Sequence, residues 1–158
     1  MSVLHRVAIV LNKPQDQVNI AAVVRVMKNF GFVDLRLVDP VPYDPWRIEG
    51  VAHGTRDLVE RIRHFATLEE ALADCVFIAA FGAKRRAHRW PVTEPRALAG
   101  TVMERVEAGT VALLFGQEDH GLPNEAIDLA QVLVRIPTTE HASLNLAQAV
   151  NIACYELH

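Results

Sequence analysis

Residues 6–31, RVAIVLNKPQDQVNIAAVVRVMKNFG, contain a complete strand-and-helix unit, and this unit sets the fold class. Its first six residues, RVAIVL, are mainly β-branched and aliphatic, which is typical of a buried strand. Residues 20–30 are apolar at most positions, and Gly31 follows them as the glycine that commonly ends a helix. A strand followed by a helix predicts a βαβ arrangement with a parallel sheet.

The same alternation continues along the chain. Further strands are predicted at residues 35–38, 76–81, 111–115 and 132–136, and further helices at residues 68–73, 96–107, 124–130 and 144–157. Thr67 and Glu70 form a capping box at the start of one of these helices. The predicted fold class is therefore α/β, with a mostly parallel sheet flanked by helices in one domain over residues 1–158.

The composition excludes several classes of protein. Hydrophobic residues make up 51% and charged residues 22% of the 158 residues, which excludes a disordered chain. The longest apolar run, residues 75–81, is far below the ~20 residues that a membrane helix needs. The first residues lack the charged start and long apolar stretch of a signal peptide. Cys75 and Cys154 form no disulfide framework, so we expect a cytoplasmic protein.

Arginine dominates the basic residues, although the formal net charge is −3. Thirteen of the 16 basic residues are Arg, whose planar guanidinium suits bidentate contacts with phosphate. Four basic residues cluster after the third predicted strand and are followed by Trp90: Lys84, Arg85, Arg86 and Arg89. This cluster predicts phosphate binding with a base stacked on the indole, and the alternative is an ordinary solvated loop.

Functional residues are expected after the strands, because ligands of parallel sheets bind beyond the carboxyl ends of the strands. Asn19 and Arg25 follow the first strand. Valines surround Arg25, and a lone arginine on an apolar helix needs a partner or a ligand. The six-residue spacing places the two side chains ~120° apart, so they meet only if Arg25 reaches back toward the helix start. The alternatives are a helix cap for Asn19 and a solvated role for Arg25.

Two other strand ends also carry polar residues. Glu118 and Asp119 are either site residues or ordinary loop acids, and the lack of a GK[ST] sequence excludes a P-loop there. Ser143 and Asn145 open the last helix, where Ser143 is also a candidate cap. A catalytic triad of Ser143 with His141 and Asp119 would lack the usual GxSxG turn. The seven histidines have no zinc-binding spacing, so no metal is predicted.

Three motifs together resemble the SpoU/TrmH branch of the SPOUT RNA methyltransferases. They are residues 19–25 (NIAAVVR), residues 115–122 (FGQEDHGL), and residues 136–137 (IP) followed by residues 143–150 (SLNLAQAV) and 155–156 (YE). The motifs occur in the family's order and at its spacing, over essentially the whole chain. Residues 84–96, KRRAHRWPVTEPR, also resemble the TrmJ-type subgroup, which methylates a ribose in the anticodon region of tRNA.

The resemblance has structural implications. It implies an α/β fold with a deep trefoil knot in the C-terminal part, and S-adenosylmethionine as the cofactor without a metal. It also implies a homodimer packed through the first and last helices, which agrees with the apolar residues at 20–30 and 144–157. The cofactor-binding residues that it implies are Ala80, Phe81, Gly82, Gly116, Ile136, Ser143, Leu144, Asn145 and Leu146.

The activity implied by the resemblance is transfer of a methyl group to a ribose 2′-hydroxyl of RNA, with tRNA as the substrate and rRNA as the alternative. The implied catalytic residues are Arg25, Asn19, Glu118, Ser143 and Asn145. Arg25 would contact the hydroxyl and the adjacent phosphate, and Glu118 would orient Arg25 by a charge-assisted hydrogen bond. The implied RNA-binding residues are Arg25, Lys84, Arg85, Arg86 and Arg89.

Two features depart from the family pattern and favour a non-catalytic RNA-binding member as the alternative. Ala21 stands where the family usually has Gly, and its methyl group either narrows access to the backbone or favours the helix. TrmJ-type proteins usually continue into a C-terminal extension that helps to bind tRNA, whereas this sequence ends at His158. We therefore expect a minimal member or a piece of a longer protein.

Overall fold

A computed structural model describes residues 3–51, 53–83 and 89–158. Its strands are β1 (Val7–Asn12), β2 (Asp34–Val38), β3 (Arg63–Phe65), β4 (Cys75–Phe81), β5 (Val92–Thr93), β6 (Thr110–Phe115) and β7 (Val132–Val134). Its helices are α1 (Gln17–Phe30), α2 (Pro45–Val51), α3 (Arg56–Glu60), α4 (Leu68–Leu72), α5 (Pro95–Arg105), α6 (Asn124–Ile127) and α7 (Leu146–Leu157). A short 3-10 turn, Val3–Arg6, precedes β1.

The strands of the described residues form one parallel sheet in the order β3-β2-β1-β6-β4-β7-β5. The chain runs outward from β1 to β3 and then builds the other half of the sheet, where β6 lies next to β1. The loops that follow β1 and β6 therefore leave the sheet in different directions. Such a switch point opens a crevice at the carboxyl edge, which is where α/β proteins commonly bind ligands.

Both faces of the sheet are covered, which explains why the strands are apolar throughout. Along β1, Val7, Ile9 and Leu11 face a core shared with α1, α5 and α7. Ala8 and Val10 face a second, smaller core shared with α4 and α6. The predicted α/β class with a mostly parallel sheet is confirmed.

Helix α1 begins and ends with defined caps. The Asp16 carboxylate accepts a hydrogen bond from Val18 N, and Gly31 adopts φ 84° while its N–H donates to Met27 O. The helix packs against α7 and the sheet, so most of the apolar surface that suggested a dimer is buried within one protomer. One row of residues on its solvent side, which we call the α1 stripe, consists of Val18, Ala22, Arg25 and Asn29, and Lys28 beside this row is also exposed.

The structure differs from the sequence prediction mainly in short elements. The strands β3 and β5 and the helices α2 and α3 lie in segments where no element was predicted, and each is too short to produce a periodic pattern. β7 ends at Val134 instead of residue 136, and α7 begins at Leu146 instead of residue 144. Among the described helices, none has the length and apolar character needed to cross a bilayer.

Candidate active site

A cleft of about 1000 Å³ lies at the carboxyl edge of the sheet, among the segments that follow β4, β6 and β7. Seven of the nine predicted cofactor-binding residues line it: Phe81, Gly82, Gly116, Ile136, Ser143, Leu144 and Leu146. The other two do not. Ala80 is buried within β4, and the Asn145 side chain is directed toward α1.

A tight hairpin after β6 forms one wall of this cleft. Gln117 and Gly121 exchange two backbone hydrogen bonds, of 3.2 Å and 2.9 Å, across the hairpin. A Cβ atom on Gly116 would lie 2.1 Å from the carbonyl carbon of Gly121, so only glycine fits at this position. The hairpin carries Glu118 and Asp119 at its tip, and both line the cleft.

Glu118 joins the hairpin to the loop that follows β1. Its carboxylate accepts hydrogen bonds from Gln15 N at 2.9 Å, from Asp16 N at 2.9 Å and from Asn19 Nδ2 at 3.2 Å. These donors include two backbone N–H groups at the start of α1, where a negative charge is favourable. Glu118 therefore holds the start of α1 against the cleft.

Asn19 continues this connection to α7. Its Oδ1 accepts a hydrogen bond of 3.2 Å from Asn145 Nδ2. Asn145 is the N-cap of α7, because its Oδ1 accepts from Ala147 N and Gln148 N. Glu118, Asn19 and Asn145 thus form a hydrogen-bonded chain across three segments, which we call the Glu118–Asn19–Asn145 chain.

These contacts correct two expectations about helix caps. Asp16, not Asn19, caps α1, and Asn145, not Ser143, caps α7. Ser143 lines the cleft instead. Ala21 is 2% exposed and packs in the main core rather than along the cleft, so its methyl group does not narrow the cleft.

Arg25 does not join the site within one protomer. It is exposed on the α1 stripe, and a six-residue separation places it about 9 Å along the helix axis from Asn19. The side-chain hydrogen bonds that Glu118 accepts come from Gln15, Asp16 and Asn19, so the predicted Glu118–Arg25 hydrogen bond is not formed among the described residues.

The basic segment is described only at its end, since Lys84, Arg85 and Arg86 lie outside the described residues. Arg89 donates to both carboxylate oxygens of Asp128, at 3.2 Å and 2.6 Å, and Trp90 Nε1 donates to the same carboxylate at 2.8 Å. These contacts, led by the guanidinium, hold the pKa of Asp128 below its usual value. The Trp90 ring packs against the smaller core, so the structure uses this residue internally.

The lining of the cleft is mainly acidic where it is charged. Four carboxylates line it, from Glu94, Glu118, Asp119 and Glu140, whereas Arg135 is the only Lys or Arg among the described lining residues. Such a lining favours a ligand with net positive charge. Glu94 was missed in the sequence because β5 was not predicted, and Arg135 was missed because β7 was predicted to continue to residue 136. No cluster of three or more metal-binding side chains occurs within the described parts of the chain.

A model of the SpoU rRNA methylase family matches residues 6–155 of the chain. The chain belongs to the SpoU rRNA methylase family. A TrmJ tRNA (cytidine/uridine/adenosine-2'-O-)-methyltransferase of Pseudomonas aeruginosa strain UCBPP-PA14 is 40% identical over 156 residues, which cover 98% of this chain and 61% of that protein. The chain thus spans about three fifths of that relative's length.

Solved structures support the assignment of this chain to the SpoU family. TrmJ from Z. mobilis ZM4 matches with a TM-score of 0.86 and 38% identity, over 95% of this chain and 67% of that chain. An AdoMet-bound rRNA methyltransferase from Sinorhizobium meliloti matches with a TM-score of 0.70 and 25% identity, over 96% of this chain and 55% of that chain. The predicted family is confirmed, and the trefoil knot stays a prediction.

Proposed function

We propose that this SpoU family chain transfers a methyl group from S-adenosylmethionine to a ribose 2′-hydroxyl of RNA, with tRNA as the substrate. The observation that carries this proposal is the Glu118–Asn19–Asn145 chain, which joins three loops beside a ligand-sized cleft. The printed name of the TrmJ relative supports tRNA, and that of the Sinorhizobium meliloti structure keeps rRNA as the alternative.

The cleft fits S-adenosylmethionine in size and charge. Its volume of about 1000 Å³ accommodates a nucleoside with an amino-acid arm. Phe81, Leu122, Ile136 and Leu144 provide apolar walls for a purine, and the carboxylates complement a ligand that carries both a sulfonium and an ammonium group. When bound, S-adenosylmethionine supplies an electrophilic methyl group. Besides the predicted residues, Arg135 lines the cleft and would pair with the carboxylate of the cofactor's amino-acid arm.

Glu118, Asn19 and Asn145 act mainly by positioning. Because Asn19 donates to Glu118 and accepts from Asn145, its amide is fixed in one orientation. The Glu118 carboxylate already accepts hydrogen bonds from three donors, so its task is to hold Asn19 and the start of α1 in place. This arrangement fixes the edge of the cleft at which the ribose would be held, as effective transfer requires. Ser143 completes the polar lining there.

Arg25 contacts the substrate through a dimer in this proposal. The exposed α1 stripe includes Val18, which is 61% exposed, and the neighbouring helix α7 exposes 68% of Tyr155. A homodimer that covers these helices would bring Arg25 of one protomer toward the cleft of the other. Within a single protomer, Arg25 lies too far along α1 to reach that protomer's own cleft. Guanidinium groups stay protonated near neutral pH, so Arg25 binds the adjacent phosphate and orients the hydroxyl instead of acting as a base. The proton of the hydroxyl is released to water.

The basic residues Lys84, Arg85, Arg86 and Arg89 would contact the phosphate backbone of the RNA. Such contacts complement the acidic cleft, because the cofactor and the RNA carry opposite charges. Asp128 would fix the C-terminal end of this segment through its contacts with Arg89 and Trp90.

The rival proposal is a non-catalytic RNA-binding member, and the exposure of Arg25 favours it. Incubation of the chain with unfractionated tRNA or rRNA and methyl-labelled S-adenosylmethionine separates the two. We expect label in tRNA with the wild-type chain and none with Arg25→Ala. RNA binding without label transfer to either RNA would contradict the proposed activity and support the rival.

A further inference from the structure

The two tryptophans of the chain occupy different environments. Trp90 packs against the smaller core, and its N–H donates to Asp128. Trp46 is the second residue of α2 and is 71% exposed, which is the highest exposure among the large hydrophobic residues that the structure describes. A single exposed apolar residue needs no partner by itself, but a solvated indole offers a flat aromatic face on which a ligand can stack.

Trp46 lies at the same edge of the sheet as the candidate active site. It follows the loop after β2, and that loop is bound to the segment that begins α1. Val41 N donates to Pro14 O at 2.9 Å, and Asp44 N donates to Gln17 Oε1 at 3.4 Å. Gln15 N and Asp16 N of the same segment donate to the Glu118 carboxylate beside the cleft. Because neighbouring strands are about 4.8 Å apart, β2 lies about 10 Å from β6.

The surroundings of Trp46 carry charges of both signs instead of apolar groups, and Asp44 Oδ1 accepts a 3.0 Å hydrogen bond from Trp46 N. The Arg56 guanidinium carbon lies 5.9 Å from the ring centroid, and Glu60 holds this side chain by a 3.1 Å hydrogen bond. Arg47, the next residue along the chain, is exposed. None of the other exposed large hydrophobic residues in the described chain belongs to α2 or α3. A protein partner would require a contiguous apolar patch, whereas a single indole with two arginines beside it suits an unpaired nucleotide.

We propose that Trp46 stacks on an unpaired base of the RNA substrate, beside the nucleotide that is methylated, and that Arg47 contacts the neighbouring phosphate. The proposal rests on the proposed function, because it takes RNA as the substrate of the adjacent cleft. Base stacking on an aromatic ring tolerates different bases, so Trp46 holds the strand in place and leaves the choice of nucleotide to the cleft.

Fluorescence tests the stacking directly in the full chain. In a Trp90→Phe background Trp46 is the only tryptophan, and its emission is followed during titration with a single-stranded RNA decamer or an abasic decamer of equal length. We expect quenching by the first and none by the second. In the same background, Trp46→Ala should weaken binding of unfractionated tRNA about five- to a hundredfold at fixed salt, without changing the salt dependence.

Met103→Ala on α5 is the matched control, since this side chain is also exposed but lies away from α2, and tRNA affinity should stay unchanged. Equal tRNA affinity in Trp46→Ala, or equal quenching by the abasic decamer, would overturn the proposal. A change of oligomeric state in Trp46→Ala would overturn it too, because the indole would then cover a second copy of the chain. Base-dependent quenching and weaker binding, with no methyl transfer to any RNA, would support the Trp46 contact and reject the proposed activity.

Discussion

Asn145 Nδ2 donates a 3.2 Å hydrogen bond to Asn19 Oδ1, and this bond joins the cap of α7 to the first turn of α1. The two residues are 126 positions apart in the sequence. Asn145 also caps α7 through its Oδ1. A shift of either helix would therefore break or lengthen the hydrogen bond between Asn19 and Asn145. The two helices that begin at the cleft are therefore positioned together.

Asn19→Asp tests this connection with almost no change in size. The substitution replaces the donor to Glu118 with a second carboxylate, so a hydrogen bond becomes a repulsion. We expect kcat/KM for tRNA methylation to fall about ten- to hundredfold while circular dichroism stays unchanged. Asn124→Asp, at an exposed position that begins α6 and does not line the cleft, is the matched control. Equal activity of both variants would show that the Glu118–Asn19–Asn145 chain is dispensable.

Arg25→Ala should lower kcat/KM by at least about a hundredfold, because it removes a cation that orients the nucleophile. The affinity for S-adenosylmethionine, measured by calorimetry, should change by only a few-fold, since Arg25 does not line the cleft. Wild-type activity of Arg25→Ala would contradict the assigned role.

Mixed dimers decide which protomer supplies Arg25. Arg25→Ala and Asn145→Ala chains are unfolded, mixed in equal amounts and refolded together. If Arg25 acts across the dimer, half of the dimers are mixed and each has one intact site, so about a quarter of the wild-type activity returns. No recovery, with mixed dimers verified by mass spectrometry, would place Arg25 and the cleft in the same protomer.

Gly116→Ala should abolish binding of S-adenosylmethionine and destabilise the chain by about 1–3 kcal/mol, because the new Cβ would meet the backbone of Gly121. Gly100→Ala is the control, since nothing lies within 4 Å of a Cβ there and the residue lies within α5. It should stabilise the chain by about 0.5–1 kcal/mol. Unchanged cofactor affinity in Gly116→Ala, followed by calorimetry, would mean that the hairpin does not shape the cofactor site.

Low pH should remove the stabilisation that the Arg36–Asp74 ion pair provides far from the cleft. Arg36 is 2% exposed and pairs with Asp34 and Asp74, and its hydrogen bond lowers the pKa of Asp74. Because the folded-state pKa lies below the unfolded value of about 3.9, the stabilisation is complete above that value and is lost as the pH falls through the folded-state pKa. Urea midpoints should therefore differ between wild type and Asp74→Asn at pH 7 and converge toward pH 3. A constant difference over this range would contradict the assignment.

The sequence predicted the α/β class because long apolar strands and capped helices follow from local composition. It did not predict β5, which has two residues, and with it missed Glu94 at the edge of the cleft. It grouped Asn19, Glu118 and Asn145 correctly by resemblance, but their partners depend on pairing between distant loops. Arg25 was expected to pair with Glu118, yet the helical period turns Val23 and Val24 inward and Arg25 outward.

The site of methylation tests the central claim most directly. After incubation with S-adenosylmethionine and unfractionated tRNA, the RNA is digested to nucleosides and analysed by mass spectrometry. The account predicts one or more 2′-O-methylnucleosides that form with the wild-type chain and are absent with Arg25→Ala. A new methyl group found on a base, or no new methylnucleoside in either tRNA or rRNA, would contradict it.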